Sequence, residues 1–113
     1  MTSSPIGNKD SSFPGSAPLE IARSLTAAGI PEKIAHIAAY ETLLQASRKF
    51  QGTYVRLSRP TLAPNPFTLS LLNGLIDSLS NNGIEAKQAK ASGNQSVSHL
   101  RKLMGGEDWM ISR

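Results

Sequence analysis

Cysteine is absent from this chain, which excludes a disulfide scaffold, thiolate zinc ligands and a cysteine nucleophile. Aromatic residues are scarce, and charged residues make up only 18% of the 113 positions. Long apolar runs are also lacking, because the longest, such as residues 37–40, span about four residues, far below the length of a transmembrane helix. The N-terminus does not show the charged-then-apolar plan of a signal peptide. We therefore expect no membrane association and a cytoplasmic location.

The charge that is present is mainly basic, with 12 Lys and Arg against 8 Asp and Glu and a net charge of +4. Two windows, residues 42–76 and 86–106, contain no acidic residue. Their basic residues are Arg48, Lys49, Arg56 and Arg59 in the first window, and Lys87, Lys90, Arg101 and Lys102 in the second. Acid-free basic windows favour contacts to phosphate. They are equally compatible with a solvated face or a surface for an acidic protein partner.

Composition and proline placement predict an all-α fold, a small bundle of about four helices. We expect a disordered leader at residues 1–17, a helical domain at 18–104 and a C-terminal tail at 105–113. The leader is rich in Ser, Gly and Pro and has too few apolar side chains to offset the entropy of ordering. The predicted helices cover residues 18–28, 31–50, a third from Pro66 to a stop signal at residues 81–83, and 95–104.

The most specific local pattern lies between residues 84 and 103. Ala89 and Gly93 have the four-residue offset found in helix-turn-helix units, and residues 92–94 (Ser-Gly-Asn) are expected to form the turn. Bases would be contacted by Gln95, Ser96 and either Ser98 or His99, and phosphates by Arg101 and Lys102. Val97 and Leu100 come about two residues earlier than in the usual motif. The alternative is a flexible basic linker followed by a short capping helix.

Residues 53–58 alternate weakly, which indicates a short strand. We expect no partner strand within this chain, so the segment is either an extended loop or half of an intermolecular ribbon. In a ribbon-helix-helix dimer, Tyr54, Arg56 and Ser58 would point toward DNA. The distance to the following helices exceeds the compact plan of that fold.

Catalytic patterns are nearly absent from the sequence. His36 and His99 have no metal-ligand spacing, although a His–carboxylate site built from distant segments stays open. Glu107 and Asp108 adjoin beyond a Gly-Gly stop, where holding a geometry is difficult, and no serine lies in a Gly-x-Ser-x-Gly pattern. We expect no enzymatic activity, no metal site and no cofactor.

The second and third helices are apolar over more of their circumference than one core requires. Residues 69–79 are rich in Leu and Ile, and the stripe proposed as a dimer or partner interface is Leu69, Leu72, Ile76 and Leu79. This segment resembles a helix of the quorum-sensing antiactivators, which sequester transcription factors. We carry no fold or residue over from that resemblance.

Two functional hypotheses follow from these patterns. The first is a small non-enzymatic regulator, expected to be homodimeric, that binds nucleic acid through its basic C-terminal helical segment. DNA is the expected ligand, and RNA stays open. The residues expected to bind nucleic acid are Arg48, Lys49, Arg56, Lys87, Lys90, Gln95, Ser96, Ser98, Arg101 and Lys102. The alternative is a homodimeric helical module that binds another protein, such as an adaptor, an antiactivator or a structural subunit, without binding nucleic acid.

Overall fold

The computed structural model describes residues 16–111, and it confirms the predicted all-α bundle. The helices are α1 (Ala17–Ala27), α2 (Glu32–Lys49), α3 (Pro66–Asn81) and α4 (Ala86–Met104). Two short strands, β1 (Tyr54–Arg56) and β2 (Asp108–Met110), lie between α2 and α3 and after α4. The predicted leader lies outside the described residues except for Ser16 and Ala17.

The four helices form a closed ring around one core. Each helix contacts two others, in the pairs α1–α2, α2–α3, α3–α4 and α1–α4. Short connections at residues 28–31 and 82–85 make the joined helices antiparallel, and both lie at one end of the bundle, which we call the loop end. The C-termini of α2 and α4 and the N-termini of α1 and α3 lie at the opposite end, together with both strands. We call it the ribbon end.

The start of α3 follows the prediction from its sequence. Asn65 is the N-cap, and its Oδ1 accepts a hydrogen bond of 2.8 Å from the backbone N–H of Thr68. Pro66 occupies the first turn, where the missing N–H would have no partner inside the helix. These local signals are enough to predict the boundary from the sequence.

The predicted break at residues 92–94 is wrong, because α4 runs through it without interruption. Ser92 Oγ donates to the carbonyl of Gln88 at 2.6 Å, and Asn94 Nδ2 donates to that of Lys90 at 2.8 Å. Gly93 faces α3, where an added Cβ would lie 3.0 Å from Ile76 Cγ1. The polar side chains are satisfied within the helix and the glycine permits close packing. The helix-turn-helix interpretation and its alternative, a flexible linker, are both wrong for this reason.

The strand predicted at residues 53–58 exists, but the expectation that it has no partner in this chain is wrong. β1 pairs antiparallel with β2, and the register sets Tyr54 opposite Met110, Val55 opposite Trp109 and Arg56 opposite Asp108. Val55 and Trp109 form the buried inner face of this two-stranded ribbon. The interpretation of residues 53–58 as half of an intermolecular ribbon is therefore wrong.

Aromatic contacts attach the ribbon to the bundle. The ring of Trp109 meets Phe67 edge-on at 5.7 Å between centroids, and Phe67 meets Phe50 in the same way at 5.4 Å. Such pairs contribute roughly 0.5–1.5 kcal/mol each beyond their buried area. Ile111 is also fully buried. The segment expected to be a tail is thus packed into the fold as far as residue 111.

A tight turn brings the end of α4 to the ribbon. At Gly105 a Cβ would collide with the carbonyl oxygens of Arg101 and Ser58, so only glycine fits there. Gly106 has a φ of 91°, in the left-handed region that favours glycine, and its N–H donates to the carbonyl of Leu57 at 2.8 Å. The Gly-Gly pair therefore ends the helix, as the sequence predicts, and also positions β2.

Candidate nucleic-acid interface

The ribbon end of the bundle gathers basic residues from three separate parts of the chain. We call this set the basic end: Arg48 and Lys49 in the last turn of α2, Arg56 in β1, Arg59 after β1, and Arg101 and Lys102 in the last turn of α4. The chain after α2 reaches the end of β2 through a 2.7 Å hydrogen bond from the N–H of Gly52 to the carbonyl of Ile111. The two acid-free windows of the sequence meet in space, since Arg101 from the second donates to the carbonyls of Ser58 and Arg59 in the first.

The acidic residues at this end are few, and one of them is already neutralised. They are Glu107 and Asp108, which precede and begin β2, and Glu20 in the first turn of α1. Asp108 pairs with Arg56, and Glu20 contacts Arg23 and His99. Within residues 16–111, Arg48, Lys49 and Lys102 take part in no ion pair that the structure shows. At the loop end, Lys33 follows Glu32 directly and Lys87 lies two positions after Glu85. The bundle is thus polarised, with its positive charge concentrated at the ribbon end.

Part of this polarisation has a structural reason. Lys and Arg in the last turn of a helix interact favourably with the negative end of its dipole, by about 0.3–1 kcal/mol at exposed positions. This applies to Arg48 and Lys49 in α2 and to Arg101 and Lys102 in α4. Lys49 also lies over the ring of Phe50 at 5.6 Å. The dipole does not explain Arg56 and Arg59, since neither of them ends a helix.

Arg56 is held by a bidentate ion pair on the outer face of the ribbon. Its Nε donates to Asp108 Oδ1 at 2.9 Å and its Nη2 to Oδ2 at 3.1 Å. These hydrogen bonds are the main cause that lowers the pKa of Asp108 below its ordinary value and raises the pKa of Arg56. Both groups are exposed, so the pair adds little to stability. It uses two of the five N–H donors of the guanidinium, on Nε and Nη2.

Arg101, expected to bind phosphate, acts first as a structural tether. Its Nε donates to the carbonyl of Ser58 at 3.1 Å, and its Nη2 donates to the carbonyls of Arg59 (2.7 Å) and Leu62. These bonds attach the end of α4 to the connector that follows β1. Carbonyl acceptors leave the charge of Arg101 uncompensated, so it still contributes to the positive potential.

The outward face of α4 continues the basic end along the bundle. The helix contains no acidic residue, and five of the predicted residues are exposed on it: Lys87, Lys90, Gln95, Ser98 and Lys102. At a rise of 1.5 Å per residue, this face extends over about 22 Å from Lys87 to Lys102. A polar and basic helix face of this length can follow a nucleic-acid backbone.

Ser96 cannot make the predicted contact with nucleic acid, because it has no exposed surface. It lies between α4 and α1, where its Oγ is 3.4 Å from the carbonyl oxygen of Ile21. Ser58 is also buried, and its hydroxyl accepts a hydrogen bond of 2.7 Å from the backbone N–H of Asn65. Polarity alone therefore misassigned two hydroxyls that satisfy buried backbone or side-chain groups.

The stripe proposed as a dimer interface is largely used inside the bundle. Leu79 is fully buried, and Leu72 and Ile76 are half-buried and pack against the core. The close approach of α4 at Gly93 covers this side of α3. Leu69, at 43% exposure, is the member of the stripe that stays available to a partner.

An apolar groove lies instead between the start of α1 and the outer side of α2. It has a volume of about 640 Å³ and is lined by Pro18, Leu19, His36, Ile37, Ala39, Tyr40 and Glu41. Leu44, one turn beyond Tyr40, is exposed as well. The helix α2 therefore exposes apolar side chains beyond those that the core uses, as the sequence predicts. They lie on a different surface from the stripe of α3 that was proposed as the interface.

The titratable residues form no metal centre in the part of the chain that the structure describes, since it contains no group of three or more His, Asp or Glu able to hold an ion. His99 Nε2 lies 3.5 Å from Glu20 Oε1, a contact between α4 and α1 at the surface. His36 is exposed on α2. Over the same residues, no helix combines the length and the apolar character needed to cross a bilayer.

Comparison with protein-family models, with curated proteins and with solved structures gives no significant match to this chain.

Proposed function

We propose that this protein is a small cytoplasmic, non-enzymatic regulator that binds nucleic acid through its basic end. The observation that carries the proposal is the convergence of two distant acid-free windows on the ribbon end of the bundle. The outward face of α4 extends the surface toward the loop end. A bound chain would regulate by blocking access to its target.

The binding energy of such a surface comes mainly from phosphate contacts. Each Lys or Arg that neutralises a phosphate releases condensed counterions, so affinity falls steeply as salt rises. Arg48, Lys49, Arg59 and Lys102 are the contributors we expect to matter most, because they are exposed and have no carboxylate partner that the described residues show. Arg56 and Arg101 contribute charge as well, while their Nε and Nη2 donors bond within the fold.

The test is the binding of fluorescently labelled duplex DNA of arbitrary sequence, measured by anisotropy at low salt. The variant is Arg48→Gln with Lys49→Gln and Lys102→Gln, and we expect it to bind at least about tenfold more weakly than the wild type. Lys33→Gln is the control, because Lys33 is exposed on the same helix as Arg48 but at the loop end. Equal losses in the control and in the triple variant would refute the proposal, and so would the absence of wild-type binding to both duplex and single-stranded DNA.

A second candidate function, a homodimeric module for protein interaction, is favoured by the apolar groove beside α2. Sedimentation equilibrium of the wild type, Leu44→Glu and Leu69→Glu tests it, since the two leucines have similar exposure, 40% and 43%. Dimerisation through the groove requires that Leu44→Glu dissociates the dimer and that Leu69→Glu does not. The reverse result would favour the α3 stripe, and a monomeric wild type at all concentrations would exclude this candidate.

A further inference from the structure

Tyr54 exposes an aromatic ring at the basic end without using it in the core. The side chain is 75% exposed, although its neighbour Val55 is buried and packs inward with Trp109. The inner face of the ribbon therefore supplies the attachment to the bundle. At 75% exposure, most of the ring surface is available to a ligand.

The surroundings of Tyr54 are ordered and basic. Tyr54 and Arg56 project from the same face of β1, about 7 Å apart along the strand, and Asp108 holds the guanidinium in place through two hydrogen bonds. Met110 lies opposite Tyr54 in the register. The ring thus sits on a fixed two-stranded support at the end of the molecule that carries the excess positive charge.

An exposed tyrosine ring has no use in reading base edges in a duplex, because the faces of paired bases are stacked on each other. Arg56, next to the ring, uses two of its five N–H donors on Asp108. An exposed ring instead offers a stacking surface, which needs a base whose face is accessible, as in a single strand. Stacking combined with a basic surface is the usual basis of sequence-tolerant single-strand binding.

We propose that the outer face of the ribbon binds single-stranded DNA, with one base stacked on Tyr54 and the phosphates of the same strand held by the basic end. Stacking and phosphate contacts use the base and the backbone and need no ribose 2′-hydroxyl, so a DNA strand is the simplest ligand for this face. The proposal rests on the proposed function and names its substrate class.

The experiment compares a labelled oligo-dT strand, an oligo-U strand and a duplex of the same length by anisotropy at one low salt concentration. The proteins are the wild type, Tyr54→Leu and Tyr54→Phe, each checked for an unchanged melting temperature. We expect the oligo-dT strand to bind more tightly than the duplex, and Tyr54→Leu to weaken its binding by about tenfold. Tyr54→Phe keeps the ring and should retain the wild-type affinity.

The outcomes separate this inference from the proposed function. Salt-dependent duplex binding that is at least as tight as single-strand binding, and unaffected by Tyr54→Leu, would overturn the stacking site and leave the basic end standing. An equal loss in Tyr54→Leu and Tyr54→Phe would also overturn it, because the hydroxyl rather than the ring would then be responsible. Preference for oligo-U over oligo-dT would overturn the choice of DNA. Absence of binding to all three probes would refute both proposals.

Discussion

Arg101 and Lys102 are adjacent and carry the same charge, yet the structure assigns them different roles. Replacing either by glutamine removes one positive charge from the end of α4. Lys102 is exposed, and the structure shows no hydrogen bond or ion pair to it in the part of the chain it describes. Arg101 is half-buried and donates to the carbonyls of Ser58, Arg59 and Leu62. We therefore predict a large difference in stability between Arg101→Gln and Lys102→Gln.

The magnitude follows from these hydrogen bonds. Those from a charged donor contribute about 1.5–3 kcal/mol each in favourable cases, but two of the three share Nη2 and lie near the surface. We expect Arg101→Gln to lower the free energy of unfolding by about 2–3 kcal/mol in total. An exposed substitution such as Lys102→Gln should stay within about 0.5 kcal/mol. In a domain of this size, each kcal/mol corresponds to a fall in melting temperature of roughly 4 °C or more.

Urea and thermal unfolding, followed by circular dichroism at moderate salt, measure this difference. Moderate salt screens the general repulsion among the basic residues, so that the tether is the main quantity compared. Arg101→Lys serves as a control, because it keeps the charge and loses the planar fork, and it should recover little of the stability. Equal effects of Arg101→Gln and Lys102→Gln, or full recovery in Arg101→Lys, would contradict the role given to Arg101.

Two further predictions concern buried hydroxyls and the exposed ion pair. Thr42 Oγ1 is buried with no hydrogen-bond partner among residues 16–111, so Thr42→Val should raise the free energy of unfolding by about 1 kcal/mol. Thr68 Oγ1 accepts a hydrogen bond from the backbone N–H of Ser58 at 2.9 Å, so Thr68→Val should lower the free energy of unfolding by about 1–3 kcal/mol. Urea unfolding of the two variants measures both effects. Effects of the same sign would contradict the different roles given to the two hydroxyls. Because Arg56 lowers the pKa of Asp108, the stability from this pair is present above the ordinary aspartate pKa and is lost as the pH falls through the lowered value. NMR titration should find that Arg56→Gln raises the pKa of Asp108, and an unchanged pKa would show that the pair does not form in solution.

The helices that the sequence predicts best are those whose signals are local. Asn65 and Pro66 define the start of α3 through a cap and a first-turn proline, and residues 81–83 mark its end. Gly105 ends α4 as expected. These boundaries depend on neighbouring residues along the chain, so a single sequence is enough to locate them.

The features that sequence reasoning missed depend on tertiary contacts. Gly93 looks like a helix breaker along the chain, but its role is to let α4 approach Ile76, which is visible only when α3 is in place. β2 has three residues, too few to show a strand pattern, and it is defined by its pairing with β1. Ser96 carries a polar side chain on a polar helix, and only the position of α1 shows that it is buried.

The candidate site shows the same division. The sequence located both acid-free windows and most of the exposed residues on α4. It could not show that the ends of α2 and α4 lie at the same end of the bundle, because that depends on the antiparallel order of the helices. The sequence also could not show that Arg56 and Arg101 differ from Lys49 and Lys102 in having N–H donors that bond within the fold.

The central claim, that the basic end binds the phosphate backbone, is tested most directly by the salt dependence of duplex DNA binding. Anisotropy titrations between about 50 and 200 mM salt give the slope of log affinity against log salt. We predict a steep negative slope for the wild type. When Arg48, Lys49 and Lys102 are replaced by glutamine, the slope should become shallower by about 0.9 for each phosphate that is no longer neutralised. A wild-type protein that does not bind at low salt, or a triple variant with an unchanged slope, would contradict the account.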